Sequence, residues 1–380
     1  MDISDYRKEI DRIDKQLINL FEERLEVAKG IAEYKKNNNL PILDPERERQ
    51  KLYDITSMCR EDIASYNSSI FSLLFDISKA YQSKLVESSS DISEKIVNAM
   101  ETSPKALPSK AIVACHGAEG SYSQQACEKM FASPQIMYFN SFEGVFQAIE
   151  NGLCQYGILP VENSIAGTVN KTYDLMMKHD FNIVKSTRVK VDHGLMVNHG
   201  VNLQDIKEIY SHEQAIAQCE GFLKTMPNVK VIPCENTATA AKYIYESGRT
   251  DAACLASVNC ALLYNLDCLK TSVQDQSSNY TRFICISKKL EIYPGADTTS
   301  IMLTVRHKTG ALFKVLSMLF ALGVNMKKLE SRPLPNTDFE FMFYFDLDVS
   351  IYQDNFLQIF NELENICTSL KYLGSYNEIL

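Results

Sequence analysis

Arg24 and Lys35 stand eleven residues apart in a stretch whose apolar residues recur every three or four positions. At about 100° per residue, that separation returns a helix to the same face. The neighbours on that face are apolar, so solvent-facing decoration explains these cations poorly. Asp44, Arg47 and Glu48 fall within about one turn of a following helix, and Ser78 and Gln82 form an i,i+4 pair on a third. Caps and salt bridges on solvated faces would account for any one of these residues alone. Together, the cations, the amide and the carboxylates suit a small dianion whose reaction needs neither nucleophile nor proton transfer. Such a reaction needs its substrate folded, and donors aimed at negative charge developing in a dry pocket. Arg7 lies seventeen residues before Arg24, about 26 Å along a helix axis. One small dianion cannot touch both from one helix, so Arg7 can join the site only from another subunit.

A second constellation lies at the ends of apolar strands. Its clusters are HGAEGSYS (116–123), PVENSIAGTV (160–169), YSHEQAIAQC (210–219) and NYTRF (279–283). In open α/β folds the C-terminal strand ends line the ligand crevice. Gly117 and Gly120 would also suit a plain turn, and Ser121 a helix cap. Glu162 directly follows an apolar strand, and an unpaired buried carboxylate is costly. An ion pair with a basic residue such as Arg282 explains it about as well. The six histidines show no HxxxH or HExxH spacing, so a metal site is not expected. The 11 cysteines form no CxxC pair and sit mostly in apolar runs, which reads as reduced thiols in a cytoplasmic protein.

These residues need three kinds of scaffold. Residues 1–88 read as a helical domain. Ile3, Tyr6, Ile10, Ile13, Leu17, Leu20, Phe21, Leu25, Ala28 and Ile31 mark one helix of about 30 residues with Ser4 as its cap. Asp44-Pro45 starts the second helix, and the third runs from about Tyr66 to Val86. So long a helix in so small a domain cannot bury its own stripe, which favours an interlocked dimer. Residues 89–109 read as a polar linker with a short helix around Ile92 to Met100. Residues 110–290 alternate short apolar strands with helices, an α/β domain with a mostly parallel sheet and a second lobe at about 191–266. Residues 297–380 read β-α-β-β-α-β, the ferredoxin-like order, with strands at 300–305, 325–331, 339–347 and 371–376. The net charge of −9 gives no field for nucleic acid, and no apolar run of about 18 residues suggests a membrane span.

Residues 1–87 resemble the all-helical chorismate mutases. Arg7, Arg24, Lys35, Asp44, Arg47, Glu48, Ser78 and Gln82 each stand where that family has an active-site residue. The resemblance implies that the arginines clamp the carboxylates of chorismate, with Arg7 supplied by a partner chain. It implies that Lys35 and Gln82 hydrogen-bond the ether oxygen, that Glu48 holds the ring hydroxyl, and that Ser78 assists a carboxylate. Residues 111–287 resemble prephenate dehydratases, which are two-lobed and periplasmic-binding-protein-like, on the motifs GSYS, PVENS..GTV, YSH and TRF. That implies that Thr281 helps the substrate hydroxyl leave and that Glu162, Asn163, Ser211 and Gln218 line the site, with Ser121, Thr168 and Arg282 close by. The reaction so implied needs no organic cofactor either. Residues 297–380 resemble the ACT domain appended to these dehydratases. Gly310-Ala311-Leu312 and Glu330-Ser331-Arg332-Pro333 are the motifs that bind phenylalanine between paired ACT domains in that family. Lys327 departs from the pattern, standing where relatives usually carry a small polar residue.

The expectation is a bifunctional enzyme, at least a homodimer, converting chorismate to prephenate and prephenate to phenylpyruvate under inhibition by phenylalanine. An arogenate-preferring dehydratase and a non-catalytic ligand sensor are the alternatives.

Overall fold

The helical periodicity of the first segment produces α1, Ile3–Asn37, a helix of 35 residues. In this computed structural model, which describes residues 2–38, 40, 44–85, 90–334 and 340–380, the cap of α1 is Asp2 rather than Ser4. The Asp2 carboxylate accepts the backbone N–H groups of Ser4 and Asp5, and the Asp5 carboxylate accepts the Asp2 N–H. That reciprocal pair puts negative charge at the positive end of the helix, which a serine could not do. α2 is Pro45–Met58, opened by the Asp44 carboxylate accepting the Arg47 N–H at 3.0 Å. α3 is Ala64–Leu85; Val86, its expected end, lies outside the described residues. Ala28 and Ala32 are buried on α1, which packs on α3. Ile3, Tyr6, Ile10, Ile13, Leu17 and Leu20, the first half of the stripe, stay exposed in the single chain.

The short helix expected around Ile92 to Met100 in the linker is Asp91–Thr102, with Ile96 fully buried. Ser93 Oγ donates to Asn361 Oδ1 at 3.0 Å. The apolar spacing of Ile92, Ile96 and Ala99 outweighed the polar composition around it.

Contacts divide the chain into one unit running up to Asn98 together with Ile301–Tyr372, and another of Ala99–Ser300 with Leu373–Leu380. The second unit holds two lobes. The sheet of the first lobe runs in the order Glu378–Ile379, Asn182–Lys190, Tyr280–Ser287, Tyr156–Asn163, Lys110–His116, Ser133–Phe139, with Gly167–Thr168 paired to Tyr156–Asn163. It is mixed, not mostly parallel. Tyr280–Ser287 runs antiparallel to both of its neighbours, because the chain re-enters this lobe from the other in the opposite direction. The sheet of the second lobe has the order Asp267–Lys270, His193–Val197, Ala252–Ser257, Glu208–His212, Lys230–Cys234. Two of these strands, His193–Val197 and Asp267–Lys270, were not anticipated from the sequence. Val113, Cys115, Ile158, Phe283 and Cys285 form part of the first lobe's core, and Leu195, Val197, Ile209, Ala253 and Leu255 part of the second's.

The C-terminal elements follow β-α-β-β-α-β. They are Thr298–Thr304, Ala311–Ala321, Asn325–Pro333, Phe341–Asp348, Phe356–Ile366 and Ser369–Tyr376. The sheet order is Asn325–Pro333, Phe341–Asp348, Thr298–Thr304, Ser369–Tyr376, which leaves Asn325–Pro333 at an edge. Phe339, the expected start of the third strand, lies outside the described residues. Both helices pack on α3, and Gln358 Nε2 donates to the Ala80 carbonyl at 2.6 Å. Gly310 caps its helix at φ +79°, a conformation that favours glycine.

Candidate active sites

The three N-terminal helices enclose a cavity of about 500 Å³. Its lining includes Arg24, Lys35, Asp44, Arg47, Glu48, Ser78 and Gln82. Arg7 is not among them. Lys51 and Lys79, which the sequence reading did not select, line it too. Lys51 lies one turn beyond Arg47 on α2, and Lys79 lies three residues before Gln82 on α3, so helical spacing alone could have found both. Five cations against two carboxylates leave this wall with a surplus of three positive charges, in a chain whose net charge is −9.

The cations are held in place. The Arg24 guanidinium donates to Ser78 Oγ and, at 3.1 Å, to the Leu74 carbonyl, and lies 5.6 Å from the Phe75 ring centre. Burial lowers its pKa, the desolvation expected of a cation in a dry pocket. Lys79 Nζ lies 3.0 Å from Glu48 and 2.9 Å from Asp76. Burial works against its charge, but these two carboxylates outweigh it and hold its pKa raised. Glu48, which lines the cavity, is thus held in place by a lysine. Gln82 is 9% exposed, and its side-chain oxygen is buried with no hydrogen-bond partner among the described residues. An unmet buried polar atom costs about 1–3 kcal/mol, and a bound ligand would remove that cost.

The second cavity lies between the lobes of the α/β unit and measures about 230 Å³. Ser121, Asn163, Gln218 and Thr281 line it. Asn163 ends the strand Tyr156–Asn163, and its carbonyl oxygen accepts the backbone N–H groups of Ile165 and Ala166 at 3.1 and 2.8 Å. That fixes the direction of the amide. Its Nδ2 donates to Thr281 Oγ1 at 3.0 Å and to Asn279 Oδ1 at 2.7 Å. Thr281 accepts from Asn163, so its own proton is available to the cavity. Ser121 caps the helix Tyr122–Met130 and also lines the cavity.

Four residues expected near this site lie elsewhere. Strand side chains alternate between faces, and Thr281 pairs with Asn163 in register. Arg282 therefore faces the other way with its own partner Glu162, and Thr168 is paired opposite Glu162. Arg282 reaches the Tyr376 hydroxyl at 3.0 Å and Glu378 at 3.4 Å. Ser211 is fully buried and donates to the Leu255 carbonyl at 2.6 Å, which accounts for its hydroxyl structurally.

Other lining residues also come from strand ends. They include His116, His212 and Glu235. His116 and His212 fall within the clusters HGAEGSYS and YSHEQAIAQC; Glu235 lies outside them but follows VKVIPC, so the same strand-end rule could have found it. Burial, the largest influence, lowers the pKa of His116, and nearby Lys171 and His212 act in the same direction. Among the described residues, no Lys or Arg lines this cavity, although a net charge of −9 would leave an anion to be held by a local basic cluster. The first turns of the helices Tyr122–Met130 and Thr237–Ser247 do line it. Helix N-termini offer N–H donors and partial positive charge to carboxylates. Among the described residues, no group of three or more His, Cys, Asp or Glu could hold a metal, and no helix is long and apolar enough to cross a membrane.

A positively walled helical cavity and a hydroxyl- and amide-lined cleft between two α/β lobes define an enzyme with two active sites. The family model for prephenate dehydratase matches residues 113–291, and that for chorismate mutase type II matches residues 6–83. A bifunctional chorismate mutase/prephenate dehydratase of Aquifex aeolicus is 33% identical over 381 residues, covering 100% of this chain and 99% of that protein. An arogenate dehydratase/prephenate dehydratase of Arabidopsis thaliana is 35% identical over 280 residues, 70% of this chain and 73% of that protein. The solved structure of an Arthrobacter aurescens prephenate dehydratase in complex with L-Phe matches with a TM-score of 0.64 and 25% identity, covering 70% of this chain and 90% of that one. The chain belongs to the bifunctional chorismate mutase/prephenate dehydratase family of phenylalanine biosynthesis.

Proposed function

We propose that the helical cavity rearranges chorismate to prephenate and that the interlobe cavity turns prephenate into phenylpyruvate, water and carbon dioxide. The observation that carries this reading is the pair of cavities, each with the polarity its reaction needs. In the first, Arg24 and Arg47 clamp the carboxylates with help from Ser78 and Asp44, Lys35 and Gln82 address the ether oxygen, and Glu48 takes the ring hydroxyl. In the second, Thr281 gives its proton to the departing hydroxyl and regains one from solvent, so one solvent proton is consumed per turnover. Asn163, Ser121 and Gln218 orient the substrate beside the helix N-termini. The carbon–carbon bond to the ring carboxylate breaks, its electrons aromatise the ring, and the hydroxyl leaves as water. Purified protein given chorismate alone is expected to release phenylpyruvate through prephenate. Finding neither compound would discard the reading. Two plant relatives carry arogenate in their names. They match only 70% of this chain, whereas here the region that would make prephenate is part of the same chain, so faster turnover of prephenate than of arogenate is expected.

The working form is at least a dimer. The exposed stripe from Ile3 to Leu20 needs cover, and Arg7 sits on that same helix, away from its own chain's cavity. A second copy laid along α1 would bury the stripe and deliver Arg7. Arg7→Ala and Arg24→Ala variants, each with a strongly lowered mutase kcat/KM, should regain efficiency at low chorismate when unfolded and refolded together, since mixed dimers hold one intact site. No recovery would place Arg7 outside the site. All eleven cysteines are free thiols, which fits the reducing cytoplasm.

The C-terminal segment acts as an ACT regulatory domain for phenylalanine. Gly310, Ala311 and Leu312 open a helix whose N-terminal N–H groups suit a carboxylate. Glu330, Ser331, Arg332 and Pro333 end the edge strand, where a second copy could pair. Lys327 is tied to Asp348 at 2.9 Å. Added phenylalanine is expected to lower dehydration several-fold, a coupling of about 1–3 kcal/mol. A flat titration would remove the regulatory role.

A further inference from the structure

Gln218 has two unlike ends, a carbonyl oxygen that accepts and an amide group that donates. Which end meets a bound dianion depends on what holds the other. His193 opens the strand His193–Val197 and is 2% exposed. Its Nε2 lies 3.2 Å from Gln218 Oε1, and its Nδ1 lies 3.2 Å from the Tyr122 hydroxyl. The backbone N–H of His193 donates to Gln274 Oε1 at 2.9 Å, and the Tyr122 ring meets the imidazole nearly edge-on, at 77° and 5.7 Å. The Tyr122 oxygen also accepts the Asp192 N–H at 3.2 Å and lies 2.9 Å from the Asp192 carbonyl. Strand, tyrosine and glutamine thus fix the imidazole from separate sides.

Tyr122 has one hydroxyl proton and two acceptors for it. If the proton goes to His193 Nδ1, the neutral ring carries its hydrogen on Nε2, donates to Gln218 Oε1, and turns the Gln218 amide into the cavity. If the proton goes to the Asp192 carbonyl, Nδ1 carries the hydrogen, Nε2 accepts from Gln218, and the glutamine carbonyl faces the substrate. A carboxylate is attracted by the first arrangement and repelled by the second. We propose that His193 is a positioning residue of the dehydration reaction: its Nε2–H holds Gln218 so that the amide N–H groups face the bound dianion, with Tyr122 setting the tautomer. Burial lowers the pKa of His193, in keeping with a neutral ring. The proposal rests on the reading of Gln218 as a cavity residue that meets substrate.

The test uses the full chain, prephenate as substrate, and a double-mutant cycle. Gln218→Leu is expected to lower kcat/KM about 10- to 100-fold, and His193→Leu by a similar factor. The double variant should be no slower than Gln218→Leu alone, because His193 acts only through that side chain. His193→Gln, which places an amide N–H near the lost Nε2, should recover most of the rate. If His193→Leu does not fold, Tyr122→Phe with Gln218→Leu completes the same cycle, and the double variant should again match Gln218→Leu. Losses that multiply in the double variant, or a wild-type rate in His193→Leu, would overturn the relay and leave the site reading intact. A wild-type rate in Gln218→Leu would overturn both.

Discussion

Replacing Thr281 with alanine is expected to cut phenylpyruvate formation about 10²- to 10⁴-fold, the usual worth of a positioned proton donor, while chorismate is still consumed. Prephenate should then accumulate, and separating the two products by chromatography after a single addition of chorismate measures both rates at once. Three observations support so large an effect. Hydroxide is a poor leaving group, so the departing oxygen needs a proton. The Thr281 oxygen accepts a hydrogen bond from Asn163 at 3.0 Å, which directs its own proton elsewhere. Asn163 cannot turn away, because its carbonyl is held by two backbone N–H groups. Thr281→Ser keeps the hydroxyl and should retain much of the rate. If Thr281→Ala forms phenylpyruvate at a wild-type rate, the hydroxyl is not the donor.

The sequence carried different parts of the two sites with different fidelity. The helical cavity was legible because a helix repeats: residues eleven apart, or four apart, must share a face, whatever the tertiary fold. The interlobe cavity was legible only by cluster. Adjacent residues on a strand face opposite sides, so Glu162 and Asn163 cannot both face one cavity, nor can Thr281 and Arg282. Parity forbids the pairing but does not say which member wins; the register of Asn163 with Thr281 decides it. Ser211 stood at a strand end like the true lining residues, and only the Leu255 carbonyl beside it reveals that its hydroxyl is already used. His116, His193 and His212 lie far apart in the chain and carry no spacing signal. They approach one another because separate strands begin or end at the same cleft. The short helix expected around Ile92 to Met100 is present as Asp91–Thr102, anchored by Ile96 among polar residues.

Lys35→Ala should lower kcat for chorismate rearrangement about 10²- to 10³-fold, the scale seen when one donor to a developing oxyanion is lost, with KM changed far less. The distinction follows from when each charge exists. The two carboxylates are negative before, during and after the reaction, so a guanidinium that clamps them stabilises substrate and transition state alike. Removing Arg24 should therefore act largely through KM. Negative charge on the ether oxygen grows only as its bond to carbon breaks, so a cation aimed there assists the transition state selectively. The surplus of positive charge in this wall makes the two roles separable: Arg24, Arg47, Lys51 and Lys79 still attract the dianion when Lys35 is gone. Steady-state kinetics on Lys35→Ala and Arg24→Ala, with dehydration of added prephenate as the internal control, measure the contrast. A Lys35→Ala enzyme with near-normal kcat and a raised KM would assign that lysine to carboxylate binding, and the stabilisation of the ether oxygen would then fall to the amide N–H of Gln82, which also lines the cavity.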